Sequence, residues 1–251
     1  MERFVKDGIV YDYQNEDYKI VFTNIDGGNM AYQAFGDNVL ENRKAVASKI
    51  NRKLDDFIFA KQCHSSDIAE VKSSDKGRGV YSFEDGIEDV DCLYTFDSDV
   101  VLCAFYADCT PVYIMSKKHN LSCMIHAGWQ GTVKAIVYKA IEHFKTLGIE
   151  PSDLEVVIGP SISFENFEVE SDVIELINKL DMIETNLCYT QINDIKYKAD
   201  VKLINKLQAV ASGVPETNIY TSQICTVEDE NLFSFRQNNQ TGRMIACIYK
   251  K

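Results

Sequence analysis

Val100-Val101-Leu102-Cys103-Ala104-Phe105 runs into Ala107-Asp108-Cys109-Thr110-Pro111, and this stretch sets the reading of the fold. Consecutive apolar residues of this number have strand length, and Pro111 denies Thr110 an easy helical conformation. Cys109 is therefore expected at a strand end or turn. A second apolar run, Leu121-Ser122-Cys123-Met124-Ile125, leads into His126-Ala127-Gly128-Trp129-Gln130-Gly131, which puts His126 where a strand exits into a glycine-bracketed turn. A third, Phe57-Ile58-Phe59-Ala60, precedes Gln62-Cys63-His64. Borderline or soft ligands at neighbouring strand ends are what an open zinc site needs, so His64, Cys109 and His126 form a candidate metal site. The competing reading of the same residues is a core thiol and two ordinary polar histidines.

The rest of the chain alternates strands and helices. Lys19–Asn24 is the firmest of the early, tyrosine-rich strands, and Asp26-Gly27-Gly28-Asn29 marks a turn. Asp37 is placed to cap a helix reaching about Leu54, with Val39, Val46 and Ile50 at helical spacing. Arg43 falls inside that apolar stripe. A guanidinium aimed inward is either a salt-bridged or snorkelling core residue or an anion clamp. Residues 73 to 91, centred on Lys76-Gly77-Arg78-Gly79, read as a surface loop, and Asp89–Thr95 resumes strand character. A helix from Thr132 places Val133, Ile136, Val137, Ala140, Ile141 and Phe144 on one face and leaves His143 outside; His119 sits in a polar turn. Leu154–Ile158 is a strand entering Gly159-Pro160. Glu168 and Glu170 read as dipole complements of a helix from about Ser171 to Leu180. Asp200 caps a further helix with Leu203, Ile204, Leu207, Val210 and Ala211 inward, and Ile219–Ser222 and Met244–Tyr249 are the last strands.

Composition bounds the function. A chain of 251 residues with 45% hydrophobic residues can form one domain, residues 1–251, with a real core. The formal charge of -12 argues against nucleic acid and anionic membrane surfaces as partners, and a phosphate-bearing ligand would need local cations. The amino-terminal residues lack a secretory pattern and no apolar run has membrane-spanning length, so a cytoplasmic protein is expected. The eight cysteines lie in apolar runs without any Cys-x-x-Cys pair, as buried thiols would.

Five motifs in register resemble the YfiH or laccase-domain family, also called multicopper polyphenol oxidases and peptidoglycan editing factor, whose members act as purine nucleoside phosphorylases. They are Gln62-Cys63-His64, Ala107–Pro111, His126–Trp129, Gly159–Ile162 with Phe167-Glu168-Val169, and Phe233-Ser234-Phe235-Arg236 with Thr241-Gly242-Arg243. The resemblance implies an α+β fold of mixed β-sheets packed together with flanking helices. It also implies Zn2+ held by His64, Cys109 and His126, and phosphate binding by Arg43 within Asn42-Arg43. Asn42, Gln62, Ser234 and Arg236, standing in the matching motifs, are weaker substrate contacts. Asp91 and Thr95 fit the family pattern too. Two departures stand out: the loop at Asp26–Asn29 is shortened, and Gln130 replaces a family arginine.

The expected reaction is phosphorolysis of adenosine, inosine or methylthioadenosine, with adenosine deamination as a side activity of an open zinc position. Zinc deaminases place a Glu two residues after the ligand His, where this chain has Gly128, so Asp108 is the nearest candidate to move protons, or else it only orients a ligand. Three other readings compete. With Met124 or Met115 as axial ligand, the same set suits blue copper (Cu2+), whereas a multicopper cluster is excluded by a total of four histidines. Cys109 as nucleophile with His126 or His64 as base gives an amidase acting on peptidoglycan precursors. A structural zinc would want a fourth protein ligand. The partners expected are purine nucleosides and phosphate, for a monomer or homodimer.

Overall fold

The computed structural model describes residues 1–251. In chain order the strands are β1 Phe4–Asp7, β2 Val10–Tyr13, β3 Tyr18–Thr23, β4 Phe57–Phe59, β5 Ile68–Glu70, β6 Cys92–Thr95, β7 Val101–Tyr106, β8 Thr110–Ser116, β9 Leu121–Ala127, β10 Glu155–Ile158, β11 Glu168–Glu170, β12 Tyr189–Gln191, β13 Lys196–Ala199, β14 Ile219–Thr221 and β15 Met244–Lys250. The helices are α1 Val39–Lys49, α2 Trp129–Val133, α3 Ile136–Thr146, α4 Ser171–Ile177 and α5 Val201–Ala211. One six-stranded sheet has the order β1-β2-β3-β15-β7-β4, a second β14-β10-β8-β9-β6-β5, and a small third β11-β13-β12. Each large sheet mixes parallel and antiparallel pairs, β4 with β7 and β10 with β14 being parallel. The fold is the expected α+β arrangement of packed mixed sheets.

Alternation along the strands explains why their sequences are apolar without a break. On β7, Leu102 and Ala104 enter the core between the two large sheets, whereas Val101 and Cys103 face a second cluster that contains Val46 and Ala47 of α1. On β8, Tyr113 and Met115 point between the sheets while Val112 and Ile114 meet Ile136, Ala140, Ile141 and Phe144 of α3. Both faces are buried, so both must be apolar, as in any sheet covered on two sides. Each fully buried aliphatic or aromatic side chain contributes about 1.5–3 kcal/mol. Pro111 is tolerated because it lies one residue before β10 begins to pair at Val112 with Ile158.

Several local expectations are corrected. Helix α1 starts at Val39 after Asn38, whose side chain makes no cap bond, so Asp37 is not the cap. The helix stops at Lys49 rather than Leu54, because Asn51 adopts a left-handed φ of 54° and Arg52 N–H turns back to the Ala47 carbonyl. The helix expected from Thr132 is two helices, broken at Ala135 with φ 61°. Helix α5 is capped by Asp200, which accepts from Leu203 N, but its buried face carries Lys202, Ile204, Asn205 and Gln208, and Val210 is exposed. The break in the neighbouring helices is the reason: the Gln208 side chain bonds both the Thr132 carbonyl and the Tyr138 N–H, and Asn205 bonds Thr132 Oγ1. Glu168 and Glu170 do precede a helix that starts at Ser171, where Glu170 holds the cap position without a side-chain cap bond, but they form strand β11 on the way, and α4 ends at Ile177 rather than Leu180.

Candidate active site

The three candidate donors come from three elements that end at the same rim of the sheet pair. His64 lies in the loop after β4, Cys109 in the turn between β7 and β8, and His126 near the end of β9. Their donor atoms lie within 4.8 Å of one another. Cys109 Sγ is 3.9 Å from His64 Nε2. Zn–N of about 2.1 Å and Zn–S of about 2.3 Å at a tetrahedral angle separate donors by about 3.6 Å, so the set fits a small borderline metal ion.

The local backbone is bent to achieve this. His64 and Asp108 both adopt positive φ, 59° and 83°, a conformation costly for residues with a Cβ. Gly128 is required by close approach: a Cβ there would meet His64 Cδ2 at 2.8 Å and Cys109 Sγ at 3.1 Å. Asp91 braces two of the ligands at once. Its Oδ1 lies 2.7 Å from His126 Nδ1, and its Oδ2 accepts from the backbone N–H of Ser65 at 2.7 Å and of Cys63 at 3.2 Å. The bond fixes the His126 ring and leaves its Nε2 for the cluster, the arrangement common behind metal-bound imidazoles.

The charges of the group are interdependent. Burial opposes ionisation of Asp91, but the hydrogen bond and charge of His126 and the two backbone N–H groups hold its pKa down to about 2. Burial likewise raises the Cys109 thiol, yet the charge and hydrogen bond of His126, then those of His64, bring it down to about 6. Burial lowers His126, and Cys109 and Asp91 together carry it up to about 9. A thiolate at neutral pH is both a metal ligand and a nucleophile.

Two cavities meet at this cluster. The first, about 380 Å³, is lined by all three donors together with Gln33, Phe83, Phe105, Phe235 and Arg243. The second, about 320 Å³, shares His64, Cys109 and Phe235 and is walled by Trp129, Ile162, Phe167, Val201 and Arg236. Arg243 Nη1 donates to the Thr241 and Gly242 carbonyls, while its Nε and Nη2 make no bond within the protein.

The other expected site residues fare differently. Arg43 is corrected: it is 1% exposed and lines neither cavity. Its Nε donates to the Met30 carbonyl and its Nη1 to those of Gly79 and Val80, and its guanidinium lies over the rings of Tyr32, Phe59 and Phe105. Those bonds leave no fork for a phosphate, so the inward arginine is a core residue that also ties down the loop around Gly79. Asn42 bonds the Asn29 and Asp37 carbonyls and lies outside both cavities. Gln62 lines the first cavity, but its amide is closed on the backbone N–H and carbonyl of Phe105. Ser234 is buried and accepts from Gln237 N. Arg236 lines the second cavity, donating to the Asn166 and Glu168 carbonyls. Both Asp108 carboxylate oxygens accept a hydrogen bond, one from Thr226 Oγ1 and one from Arg236 N, each at 2.6 Å, which ties the Cys109 turn to the 226 and 236 segments. Met115 and Met124 are buried between the sheets, and Met124 Sδ receives the Tyr106 hydroxyl, so neither supplies the axial thioether a blue-copper site wants.

Arg243, Phe235, Gln33 and the bracing role of Asp91 went unnominated. For Arg243 and Phe235 the signal was present, since both lie in quoted motifs. No residue of the shortened Asp26–Asn29 loop lines either cavity, whereas Ala31, Gln33 and Ala34, which follow it, line the first.

Residues 23–251 match the model of the multi-copper polyphenol oxidoreductase laccase family. The chain is 34% identical to purine nucleoside phosphorylase SERP0752 of Staphylococcus epidermidis, across 100% of this chain and 99% of that protein. It is also 34% identical to purine nucleoside phosphorylase YlmD of Geobacillus stearothermophilus, across 85% and 79% of the two chains. The crystal structure of YlmD from Geobacillus stearothermophilus superposes with a TM-score of 0.96 at 29% identity, covering 100% of both chains. That of YfiH from Bacillus licheniformis gives 0.90 at 29% identity over 93% of each. With its fold, its strand-end cluster and its sequence matches all in agreement, this chain belongs to the laccase-like family of YfiH and YlmD.

Proposed function

We propose that the chain is a purine nucleoside phosphorylase whose site is the first cavity. The observation that carries the reading is the convergence of the His64, Cys109 and His126 donor atoms with Arg243 on one cavity of about 380 Å³, a volume in the range of small-ligand sites. Phosphorolysis breaks the C1′–N9 bond of the nucleoside and joins a phosphate oxygen to C1′, and the departing base takes up a proton. Arg243 has Nε and Nη2 to offer two phosphate oxygens, which makes it the phosphate ligand that Arg43 is not. Phe83, Phe105 and Phe235 offer apolar walls to a base. His64, Cys109 and His126 would hold Zn2+, which when bound supplies a Lewis acid and the means to activate water. Adenosine, inosine and methylthioadenosine are the proposed substrates, and deamination of adenosine the proposed side activity. No helix is long and apolar enough to cross a membrane.

One observation favours a second reading: Asp91, His126 and Cys109 are arranged as acid, base and thiol of a cysteine hydrolase. Incubation with adenosine, with and without phosphate, separates the two. Adenine released only with phosphate supports phosphorolysis, and inosine formed without phosphate supports deamination. Neither product from metal-loaded protein, together with amidase activity that survives a chelator, would move the assignment to the hydrolase.

A further inference from the structure

Six polar side chains line the first cavity: Gln33, Gln62, His64, Cys109, His126 and Arg243. Three of them are the donor cluster. Gln62 has spent both ends of its amide on the backbone of Phe105. Arg243 is a cation with donors alone. Gln33 is what remains, a neutral amide whose carbonyl and NH2 make no bond within the protein. It sits on an exposed turn at the mouth of the cavity, and the neighbouring Ala31 and Ala34 have side chains too short to compete for a ligand.

We propose that Gln33 reads the N6/N7 edge of the purine and makes this chain selective for 6-aminopurine over 6-oxopurine nucleosides. The inference rests on the nucleoside reading of the same cavity. Adenine presents an acceptor, N7, beside a donor, the N6 amino group. A primary amide presents a donor beside an acceptor, so two bonds form together. A 6-oxopurine presents two acceptors at that edge. The Gln33 NH2 can serve one of them, and its carbonyl is then left facing the other. Phosphate recognition by Arg243 is the same for both nucleosides, so the difference between them falls on Gln33.

The test compares kcat/KM for adenosine and inosine, scored as free base released with phosphate, in the wild type, Gln33→Leu and Gln33→Lys. The wild type should favour adenosine by roughly fivefold or more, the low end for a bidentate amide contact because the residue is exposed. Gln33→Leu should bring the ratio toward one. Gln33→Lys, which has donors only, should turn the preference toward inosine. Calorimetric binding of adenine and hypoxanthine should follow the same order, a readout that does not depend on the chemical step. Because Gln33 is exposed and makes no bond, thermal stability should be unchanged in both variants. Phosphorolysis with ratios in both variants within about twofold of the wild type overturns the role of Gln33 and leaves the nucleoside reading standing. Release of no base from either nucleoside by the wild type overturns both.

Discussion

Two buried polar centres lie on either side of Phe105, and they have opposite fates. Around Arg43 the structure gathers a cation, three carbonyls and three aromatic rings, and the guanidinium's inward bonds are made within the protein. Around Cys109 it gathers two imidazoles and a thiol, whose donor atoms converge on a cavity with only long sulfur contacts such as the 3.9 Å between Cys109 Sγ and His64 Nε2 linking them. The first centre is closed and the second is open. Residue type does not separate them, since a buried arginine, rarer in a core than a buried histidine, would by itself have been the stronger sign of a ligand site. Unspent bonding capacity facing a cavity does separate them. Closure around Arg43 stabilises the wall of the cavity, and the open set beside it is available to a ligand.

The largest effect should come from removing the open centre. Zinc bound at about one per chain is expected by elemental analysis of purified protein, and the Cys109→Ala, His126→Ala double variant should lose nearly all of it together with phosphorolysis. Full zinc content in that variant would place the metal elsewhere and make the cluster a thiol and histidine centre. Asp91→Asn sharpens the same test, because it keeps the size of the brace but weakens its grip on His126. A fall of about 10–100-fold in metal affinity is the usual scale for such a change.

The second prediction contrasts the two arginines. Arg243→Lys keeps a charge and loses the planar fork, so the KM for phosphate should rise several-fold more than the KM for nucleoside. Arg43→Lys should leave the ratio of the two KM values unchanged and lower stability instead. One compact ammonium cannot reach the Met30, Gly79 and Val80 carbonyls together, and an abandoned buried acceptor costs about 1–3 kcal/mol, or roughly 3–10 °C in Tm for a chain of this size. A selective loss of phosphate affinity in Arg43→Lys would break the distinction between closed and open centres.

How much of this could be read from sequence follows from the range of the interactions. The placement of His64, Cys109 and His126 at strand ends was legible because it depends on local signals, an apolar run followed by a turn. The inward phase of Arg43 was legible as well. What it meets was not, since its acceptors lie 13 to 37 residues away in a loop with no pattern of its own. Helix α5 shows the same limit. Its apolar residues suggested one buried face, but Asn205 and Gln208 are drawn inward by the hydroxyl and the carbonyl of Thr132, beside the break at Ala135 and some 73 and 76 residues distant. The third sheet was missed for a different reason: β11, β12 and β13 are mostly exposed or half-buried and carry no apolar alternation to mark them.

Lys202 extends the comparison to a third centre and gives the smallest expected effect. It is 7% exposed, its Nζ donates to the Ser222 and Ile224 carbonyls, and no carboxylate forms an ion pair with it. Like Arg43 it is a buried cation closed on carbonyls, but an ammonium can shed its proton where a guanidinium does not. Burial, the main cause, lowers its pKa from 10.5 to about 8. Below about pH 8 the lysine is charged in both the folded and unfolded states. Between about pH 8 and 10.5 the unfolded state holds a proton that the folded state has released, so stability must rise with pH across that window. From about pH 8 to 9.5 the gain is on the order of 2 kcal/mol. Urea denaturation of the wild type and of Lys202→Met at a series of pH values isolates this group, because all other titrations are common to both proteins. The wild type should gain stability relative to the variant as the pH rises. Parallel curves would mean that the buried amine keeps its proton throughout, and that two carbonyls close a lysine as completely as three close Arg43.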